Sequence, residues 1–342
     1  MNIVLSECAE KKEFNAGNKA RTDALQIAES EGYEHVLLFR NGENKIIVIF
    51  RMIAGCIKTI CKANKLDNIF LQYPYYPYVI NNILLFILRL GRKIKKYKLC
   101  ILVHDVVALR NEKLYSEEGR KILEKEYNFL KKFDTVICHN DKMLSTFSEI
   151  GVTTNFKVLG PFDYLYSGKT VTVNYSKEMT LVVAGNLSKS KCGYLYEDKE
   201  YKNFGFNLYG IDYTGTVNSK KKYSGSYSPE QLIENLEGNF GLVWDGDTGE
   251  TCSGKYGHYL KYNNPHKFSL FIAAGLPIVT WKDSALASYV EKNKIGICVS
   301  SLDEFDSLVV DLKEEQYLEY VKNVHRIRED YVTGKNLKKC LW

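Results

Sequence analysis

Two polar residues come at the end of a very apolar segment in the run LVHDVVALR, which predicts a buried strand followed by His104 and Asp105. A carboxylate at the end of such a strand could act as general base on an acceptor hydroxyl, and the neighbouring imidazole could orient it. In the alternative interpretation, Asp105 caps the following turn and His104 is a satisfied, partly buried histidine. This pair is the candidate for catalysis.

The run NNPHKFSLFIAAGLPIVTW predicts a buried helix with Asn264 as its N-cap, Pro265 in the first helical position and Gly275 after its end. Lys267 and Ser269 fall in its first turns, where the helix dipole and the free N–H groups favour an anion. Because a lysine there opposes the dipole, we expect an anion such as a phosphate between them.

The run VVAGNLSKSK offers further lysines at the end of a predicted strand. Its small residues and Asn186 turn the chain, and Lys189 and Lys191 follow. A lysine at a glycine-containing junction between strand and loop is well placed to bind a phosphate. Solvated surface lysines are the alternative.

Two segments in the first half of the chain suit an anion or a sugar. The loop after the first predicted strand contains Asn15 and Gly17 and leads to a helix N-terminus, where free N–H groups favour an anion. The run LQYPYYPYVI contains four tyrosines with rings and hydroxyls that suit a sugar, namely Tyr73, Tyr75, Tyr76 and Tyr78. A plain connecting loop and packed surface tyrosines explain these segments equally well.

Neither metal nor disulfide chemistry is indicated. Asp245 and Asp247 form a D-x-D string of the kind that can chelate a metal, but an isolated string is common in loops by chance. The nine cysteines include no C-x-x-C pair, and several lie in apolar runs, as free thiols do in a reduced, cytoplasmic protein.

No membrane-spanning segment is predicted, because the longest apolar run, NNILLFILRLG, is well short of the ~20 residues that a span requires. The N-terminus turns acidic too soon for a signal peptide. The basic cluster at residues 89–98 could contact anionic lipid at the inner face of a membrane, or it could be a helix C-terminus, where cations are favourable. The net charge of +6 permits an anionic ligand, and we see no nucleic-acid signature.

The elements that must position these residues form two series in which short apolar strands alternate with amphipathic helices. We therefore expect an α/β protein of two doubly wound parallel-sheet domains, 1–165 and 166–342, that face each other across a cleft. Ligands of such sheets bind beyond the carboxyl ends of the strands. Candidate helix caps are Asp141, Ser228, Asp283 and Ser301.

The combination of VHDVVALR, VAGNLSKS, GLVWDGD and PHKFSLFIAAGLPIV resembles glycosyltransferases of the GT-B fold. It more narrowly resembles a bacterial group that includes the glucosyltransferases of serine-rich repeat adhesin glycosylation and the related β-1,6-galactofuranosyltransferases. The resemblance extends over nearly the whole chain and is strongest from Gly241 to Ser300. It implies two Rossmann-like domains, of which the first binds the acceptor and the second binds the donor, with the last helix packing back on the first domain.

The resemblance also implies transfer of a hexosyl unit from a UDP-sugar to a glycan acceptor on a protein or lipid carrier, without a metal or other cofactor. Lys189 and Lys267 match the cations that grip the diphosphate, and Tyr209 matches an aromatic position near the nucleotide. The other donor-binding candidates are Asn186, Asn263, Asn264, His266 and Ser269. The acceptor-binding candidates are Asn15, Gly17, Tyr73 and Tyr75. Inversion is implied because the group forms β-linkages from α-linked donors, and Asp105 is the candidate base.

The chain lacks the pair of glutamates that frame the donor helix in many GT-B enzymes, which argues against the large retaining family that uses them. Two other functions remain open: a UDP-sugar epimerase of similar fold, and a non-catalytic partner that binds nucleotide sugar or glycan. Several members of the narrower group are tetramers, so a homo-oligomer is a further expectation from the resemblance.

Overall fold

The computed structural model describes residues 1–8, 16–40, 42–76, 78–110, 116–149, 151 and 154–341. The strands of the N-terminal domain are β1 (Ile3–Cys8), β2 (Glu34–Arg40), β3 (Asn68–Tyr73), β4 (Lys98–Val103), β5 (Thr135–Cys138) and β6 (Asn155–Val158). Its helices are α1 (Ala16–Ser30), α2 (Lys45–Lys62), α3 (Ile80–Lys95), α4 (Glu117–Leu130) and α5 (Asp141–Glu149), with a 3₁₀ helix at Val107–Arg110. The strands form one parallel sheet in the order β2-β1-β3-β4-β5-β6.

The C-terminal domain has a second six-stranded parallel sheet. Its strands are β7 (Met179–Asn186), β8 (Phe204–Ile211), β9 (Lys221–Tyr223), β10 (Phe240–Val243), β11 (Ile278–Trp281) and β12 (Gly296–Val299). They pair in the order β12-β11-β10-β7-β8-β9. The helices are α6 (Pro229–Asn235), α7 (Gly254–Tyr259), α8 (His266–Ala274), α9 (Ala287–Asn293), α10 (Leu302–Leu308), α11 (Glu314–Val332) and α12 (Lys335–Leu341).

The two parallel sheets confirm the predicted fold class. Each apolar run that predicts a strand forms one, because such runs can be buried on both faces by the crossover helices. The short edge strand β9 was not predicted, since its residues include three exposed or charged side chains, Lys221, Lys222 and Tyr223. Within the described part of the chain, no helix is both long and apolar enough to cross a membrane.

Of the four serine and aspartate residues predicted as helix N-caps, the two serines are confirmed. Ser228 and Ser301 begin α6 and α10, since each side-chain oxygen accepts a hydrogen bond from a backbone N–H of the first turn. The predictions for Asp141 and Asp283 were wrong. Asn140 precedes α5 and accepts a hydrogen bond from the backbone N–H of Met143 at 2.9 Å, and a turn separates Asp283 from α9.

The last helix lies on the N-terminal domain. The apolar side chains of α12 join a core cluster that includes Val4, Ala24 and Phe70. Two side chains of the first domain bind backbone carbonyl groups of α12: Tyr33 donates to Leu341 at 3.2 Å, and Lys157 donates to Cys340 at 3.1 Å. The N-terminal domain is therefore completed by residues from the end of the chain.

Candidate active site

A cavity of about 750 Å³ lies between the two domains. The carboxyl ends of β1 and β4 form one wall, with Glu7, His104 and Asp105. Asp245, which follows β10, and residues 263–266 at the start of α8 form part of the opposite wall. This is where doubly wound sheets bind ligands, so both domains contribute their ligand-binding edges to one cleft.

Asp105 lies in this cavity, as its position after a strand predicts, and an arginine holds its carboxylate. Arg110 Nη2 donates a hydrogen bond to Asp105 Oδ1 at 2.7 Å. The guanidinium of Arg110 also lies over the ring of Tyr259, 5.1 Å from its centroid, and the Tyr259 hydroxyl accepts a hydrogen bond from Val106 N at 3.0 Å. Because Tyr259 belongs to α7, the second domain helps to fix the segment that carries Asp105. The Asp105 side chain remains 31% exposed, so a ligand in the cavity can reach it.

Glu126 of α4 fixes the same segment from inside the first domain. Its carboxylate accepts hydrogen bonds from Val107 N at 3.0 Å, Ala108 N at 2.8 Å and the Tyr73 hydroxyl at 2.9 Å. Burial raises the pKa of Glu126, although these three donors favour the charged form. Glu126 was missed in the sequence because a single glutamate in a helix carries no motif.

The imidazole of His104 is oriented by Gln72 instead of Asp105. Gln72 Nε2 donates to Arg21 O at 3.1 Å, so Gln72 Oε1 faces the ring and accepts from His104 Nε2 at 2.7 Å. The ring also stacks on Phe162, with centroids 5.3 Å apart and planes 8° apart. Burial, with the positive charge of Arg21, lowers the pKa of His104 well below its ordinary value. His104 is therefore neutral near pH 7, with its proton on Nε2. The predicted orienting role toward Asp105 finds no support in these contacts.

An ion pair at the end of β1 was not predicted. Glu7 Oε1 lies 2.9 Å from Arg21 Nη1, and Arg21 Nη2 donates to Pro74 O at 2.6 Å. Both charged side chains line the cavity. Burial raises the pKa of Glu7, against the opposing effect of Arg21. The sequence could have indicated Glu7, because it lies at the end of the first strand and Asp105 follows the fourth strand in a similar position.

Lys267 is buried at the start of α8, and the anion beside it is a carboxylate. Lys267 Nζ donates to Asp245 Oδ1 at 2.7 Å and to Trp244 O at 3.1 Å. Burial is the largest single effect and opposes the charge of Lys267, but its neighbours, Asp245 first among them, together outweigh burial and raise the pKa of Lys267. In this structure Asp245 therefore lies where a phosphate was expected. Among the described residues, no group of three or more His, Cys, Asp or Glu could hold a metal.

Helix α8 begins one residue later than predicted. Pro265 occupies the N-cap position, and Gly275 ends the helix in the left-handed conformation with φ of 85°, as predicted. Asn264 is buried and joins the domains: its backbone N–H donates to His139 Nδ1 at 3.1 Å, and its Oδ1 accepts from Asn140 Nδ2 at 2.7 Å. The prediction that Asn264 caps the helix was wrong, because its side chain is engaged across the domain boundary.

Asn263 and His266 both line the cavity. Asn263 Oδ1 and His266 Nδ1 are buried with no hydrogen-bond partner among the described residues. His266 Nε2 donates to Asp163 O at 3.3 Å, and its ring stacks on Tyr164. Burial and then the charge of Lys19 lower the pKa of His266 to about 3, so this imidazole is neutral and its Nδ1 is an acceptor. Both residues remain candidates for ligand binding.

The side chains of Ser269 and Asn186 form hydrogen bonds within the protein. Ser269 is buried and donates to Phe162 O at 2.6 Å, which ties α8 to the segment that connects the domains. Asn186 Oδ1 accepts from Ser188 N at 2.9 Å, and its Nδ2 donates to Asp212 at 2.8 Å, which shapes the turn after β7. The contacts of these two side chains do not support the predicted donor-binding roles.

The cation that reaches the cavity after β7 is Lys191. Its ammonium group lies 5.7 Å from the centroid of the Tyr256 ring, and both residues line the cavity. Lys189 is exposed and is not among the residues that line it. Both lysines belong to the predicted turn after β7, and the direction in which each points depends on the path of that turn. The role of Lys189 at a diphosphate stays a prediction.

Tyr209 lines a second, smaller cavity of about 60 Å³, next to Lys267 and Tyr227. Its ring is buried, and its hydroxyl accepts from Glu237 N and Asn207 Nδ2, each at 2.9 Å. The position between α8 and the carboxyl end of β8 is compatible with the predicted place near a nucleotide.

The predicted acceptor contacts of Tyr73 and Tyr75 were wrong for this structure, because both side chains lie in the core of the N-terminal domain. The Tyr75 hydroxyl donates to Leu5 O at 2.8 Å, and that of Tyr73 donates to Glu126. Tyr76 is the tyrosine of this run that lines the cavity, and it is 56% exposed. Gly17 lies in the first turn of α1, and Asn15 lies outside the described residues.

Comparison with known proteins matches almost the whole chain. The family model described as Glucosyltransferase 3-like, N-terminal domain, matches residues 2–160, and Glucosyltransferase 3-like, C-terminal domain, matches residues 181–342. The chain is 33% identical over 337 residues to the beta-1,6-galactofuranosyltransferase WbbI of Escherichia coli (strain K12), covering 96% of this chain and 93% of that protein. It is 25% identical over 263 residues to glucosyltransferase 3 of Streptococcus parasanguinis, covering 74% of each.

The solved structure of a sucrose-phosphate synthase from Thermosynechococcus elongatus has a similar fold. Its TM-score is 0.58 at 10% sequence identity, and the match covers 99% of this chain and 98% of the other. The chain has two parallel-sheet domains across a cleft, and together with this likeness they show the expected GT-B fold.

Proposed function

Because this glycosyltransferase belongs to the glucosyltransferase 3-like family, we propose that it transfers a glucosyl or galactofuranosyl unit from a UDP-sugar to a hydroxyl group of a glycan. The names of its relatives support these two sugars as candidates. We further propose that the transfer inverts the anomeric carbon and needs no metal ion. The acceptor glycan would be carried on a protein or a lipid.

The position of Asp105 is the observation that carries this proposal. Inversion by direct displacement needs one base on the acceptor side and positive charge on the donor side. Asp105 lies at the end of β4 in the first domain, and the cavity that it lines also includes Lys191 of the second domain. A carboxylate for the acceptor and a cation for the donor thus line the same cavity.

In the proposed reaction, Asp105 accepts the proton of the acceptor hydroxyl while that oxygen attacks the anomeric carbon. The bond from the anomeric carbon to the UDP oxygen breaks, and the diphosphate leaves with the electron pair. Lys191 and the free N–H groups at the start of α8 would stabilise the developing negative charge. Asn263 and His266, which line the cavity, would contact sugar or ribose hydroxyl groups.

Release of UDP from UDP-glucose and UDP-galactofuranose, with and without a glycan acceptor, tests the proposal. We expect acceptor-dependent release that EDTA leaves unchanged. In Asp105→Asn, kcat should fall by about 10²- to 10⁴-fold, because general-base catalysis contributes that much, while UDP still raises Tm. Glu7→Gln is the matched comparison, since Glu7 is another carboxylate of the same cavity.

Three outcomes would contradict parts of the proposal. Full turnover in Asp105→Asn would remove Asp105 as the base, and a selective loss in Glu7→Gln would assign that role to Glu7. UDP release without an acceptor would favour the epimerase alternative. Loss of turnover in EDTA with recovery on adding a divalent cation would contradict the metal-independent reaction.

A further inference from the structure

Helices α2 and α3 pack side by side and expose large apolar side chains on their outer faces. Met52 and Cys56 of α2 and Leu84 and Leu88 of α3 are buried in the core of the domain. The opposite faces carry seven large apolar residues whose exposed fractions lie between 46% and 78%: Ile46, Ile47, Phe50, Ile57, Phe86, Leu90 and Ile94. These seven residues are called the apolar face below.

The apolar face is continuous along each helix. In α2, Phe50 follows Ile46 by one helical turn and Ile57 follows Phe50 by two, so the three side chains share one stripe. In α3, Phe86, Leu90 and Ile94 recur at every fourth position. A surface of this length and composition is unlike the scattered single apolar residues that are normal on a soluble protein.

The same two helices hold more than the whole net charge of the chain. Neither contains Asp or Glu, and together they carry eight basic residues: Lys45, Arg51, Lys58, Lys62, Arg89, Arg92, Lys93 and Lys95. Their formal charge of +8, against +6 for the whole chain, leaves −2 for all other residues.

Several of these cations border the apolar face without a carboxylate partner. Arg89 and Lys93 follow Phe86 and Leu90 by three residues each, so they lie beside the stripe of α3. In the part of the chain that the structure describes, Lys58, Arg89 and Lys93 form no ion pair. By contrast, Arg51, Lys62 and Arg92 pair with Glu43, Glu34 and Asp134.

We propose that the apolar face docks on the surface of a bilayer that contains anionic lipids. Phe and Ile side chains suit the boundary between headgroups and acyl chains, and Lys and Arg at its border bind phosphate headgroups. A second copy of this chain is a poorer occupant, because a two-fold interface through this face would set its unpaired cations, Lys58, Arg89 and Lys93, against the same cations of the other copy. The positive charge thus selects an anionic surface over self-association.

Docking in this way would bring the N-terminal ends of α2 and α3, which adjoin the cleft, close to the membrane. Val48 of α2, Glu43 just before α2 and Tyr76 just before α3 all line the cavity between the domains. The docked protein would therefore present its acceptor side to glycans anchored in the same bilayer. This consequence rests on the proposed function, whereas binding to the bilayer does not.

Flotation of the full chain with vesicles tests the docking directly. We expect binding to vesicles of phosphatidylglycerol and phosphatidylcholine that weakens with salt, and little binding to phosphatidylcholine alone. The variant Lys58→Glu/Arg89→Glu/Lys93→Glu should bind the anionic vesicles about tenfold or more weakly, since each cation near the surface contributes severalfold. Phe50→Ser/Phe86→Ser should also weaken binding, because it removes two exposed rings.

Matched variants in the second domain test whether the position of the substituted residues matters, or only the change in charge and apolar content. Lys177→Glu/Lys292→Glu/Lys322→Glu makes the same change in net charge at exposed lysines, and Val310→Ser/Leu318→Ser removes exposed apolar side chains. Both should bind vesicles as the wild type does. Circular dichroism shows whether each variant is folded. UDP release measured without vesicles shows whether it is active, so a loss of vesicle binding is distinguished from a failure of the proposed function.

The proposal is overturned if the wild type does not float with anionic vesicles, or if the Lys58/Arg89/Lys93 variant binds as tightly as the wild type. It is also overturned if light scattering shows an oligomer that Phe50→Ser/Phe86→Ser converts to monomers, since a second copy would then cover the face.

Discussion

Among single residues, Lys267 shows how a charge predicted to bind a ligand can belong to the protein. Its side chain and that of Asp245 are 8% and 7% exposed, and their charged atoms lie 2.7 Å apart. Removing one member of such a buried pair leaves the other charge uncompensated, which costs about 3–5 kcal/mol, whereas removing both costs less. The pair can therefore be tested by stability as well as by ligand binding.

We expect Lys267→Met to lower the free energy of unfolding by about 3–5 kcal/mol, and Lys267→Met/Asp245→Asn to recover part of that loss. Urea denaturation measures both values. Lys189→Met, at an exposed lysine of the same domain, should change stability by no more than about 0.5 kcal/mol. If Lys267→Met kept full stability but abolished the increase in Tm caused by UDP, the diphosphate would be its main partner after all.

At the scale of elements, strands were predictable from the sequence and several helix details were not. Apolar runs such as KLCILV predict β4 because a central parallel strand is buried on both faces. Helix α7 has the sequence GKYGHY, whose two glycines and lack of an apolar period predict no helix. Yet Tyr259 of α7 supports the loop that carries Asp105.

The candidate site was likewise predictable only in part. Positions just after strands can be inferred from the sequence, and Asp105 lies in the cleft as that rule predicts. Partners that come from distant parts of the chain cannot be inferred in this way. Asp245 pairs with Lys267, Gln72 orients His104, and Asn140 engages Asn264, and each contact depends on how the sheets and domains are packed.

Helix α4 gives a prediction at the scale of elements, because Glu126 connects it to the loop after β4. Glu126→Gln replaces one acceptor oxygen by an N–H group, so one of the backbone N–H groups of Val107 and Ala108 loses its partner. We expect a loss of about 1–3 kcal/mol in stability. Since Asp105 is in the same loop, kcat should also fall while KM for the UDP-sugar changes little.

Steady-state kinetics measures the effect of Glu126→Gln on kcat and KM, and urea denaturation measures its effect on stability. Glu124→Gln is the control, since Glu124 is an exposed residue of the same helix and should change neither value. An unchanged kcat in Glu126→Gln, together with lower stability, would limit Glu126 to a structural role.

For the whole molecule, the segment between the domains and the end of the chain are joined by a buried carboxyl group. Asp163 accepts hydrogen bonds from Asn336 N at 3.1 Å and Leu337 N at 2.8 Å, which fix the start of α12. Burial raises the pKa of Asp163 to about 7, although the two backbone donors oppose that shift. This carboxyl group therefore links the stability of the two-domain assembly to pH.

We expect the free energy of unfolding of the wild type, minus that of Asp163→Asn, to fall as pH rises from about 4 to about 7. In that range folded Asp163 holds a proton that the unfolded chain has lost, so its contribution decreases by up to about 1.4 kcal/mol per pH unit and is constant above pH 7. The difference from the variant is needed because His139 and His266, with lowered pKa values, shift stability in the opposite direction. Urea denaturation across pH measures it, with exposed Asp311→Asn as the control that should give a flat difference. A difference that rises with pH would mean that the two backbone donors outweigh burial and that folded Asp163 is ionised.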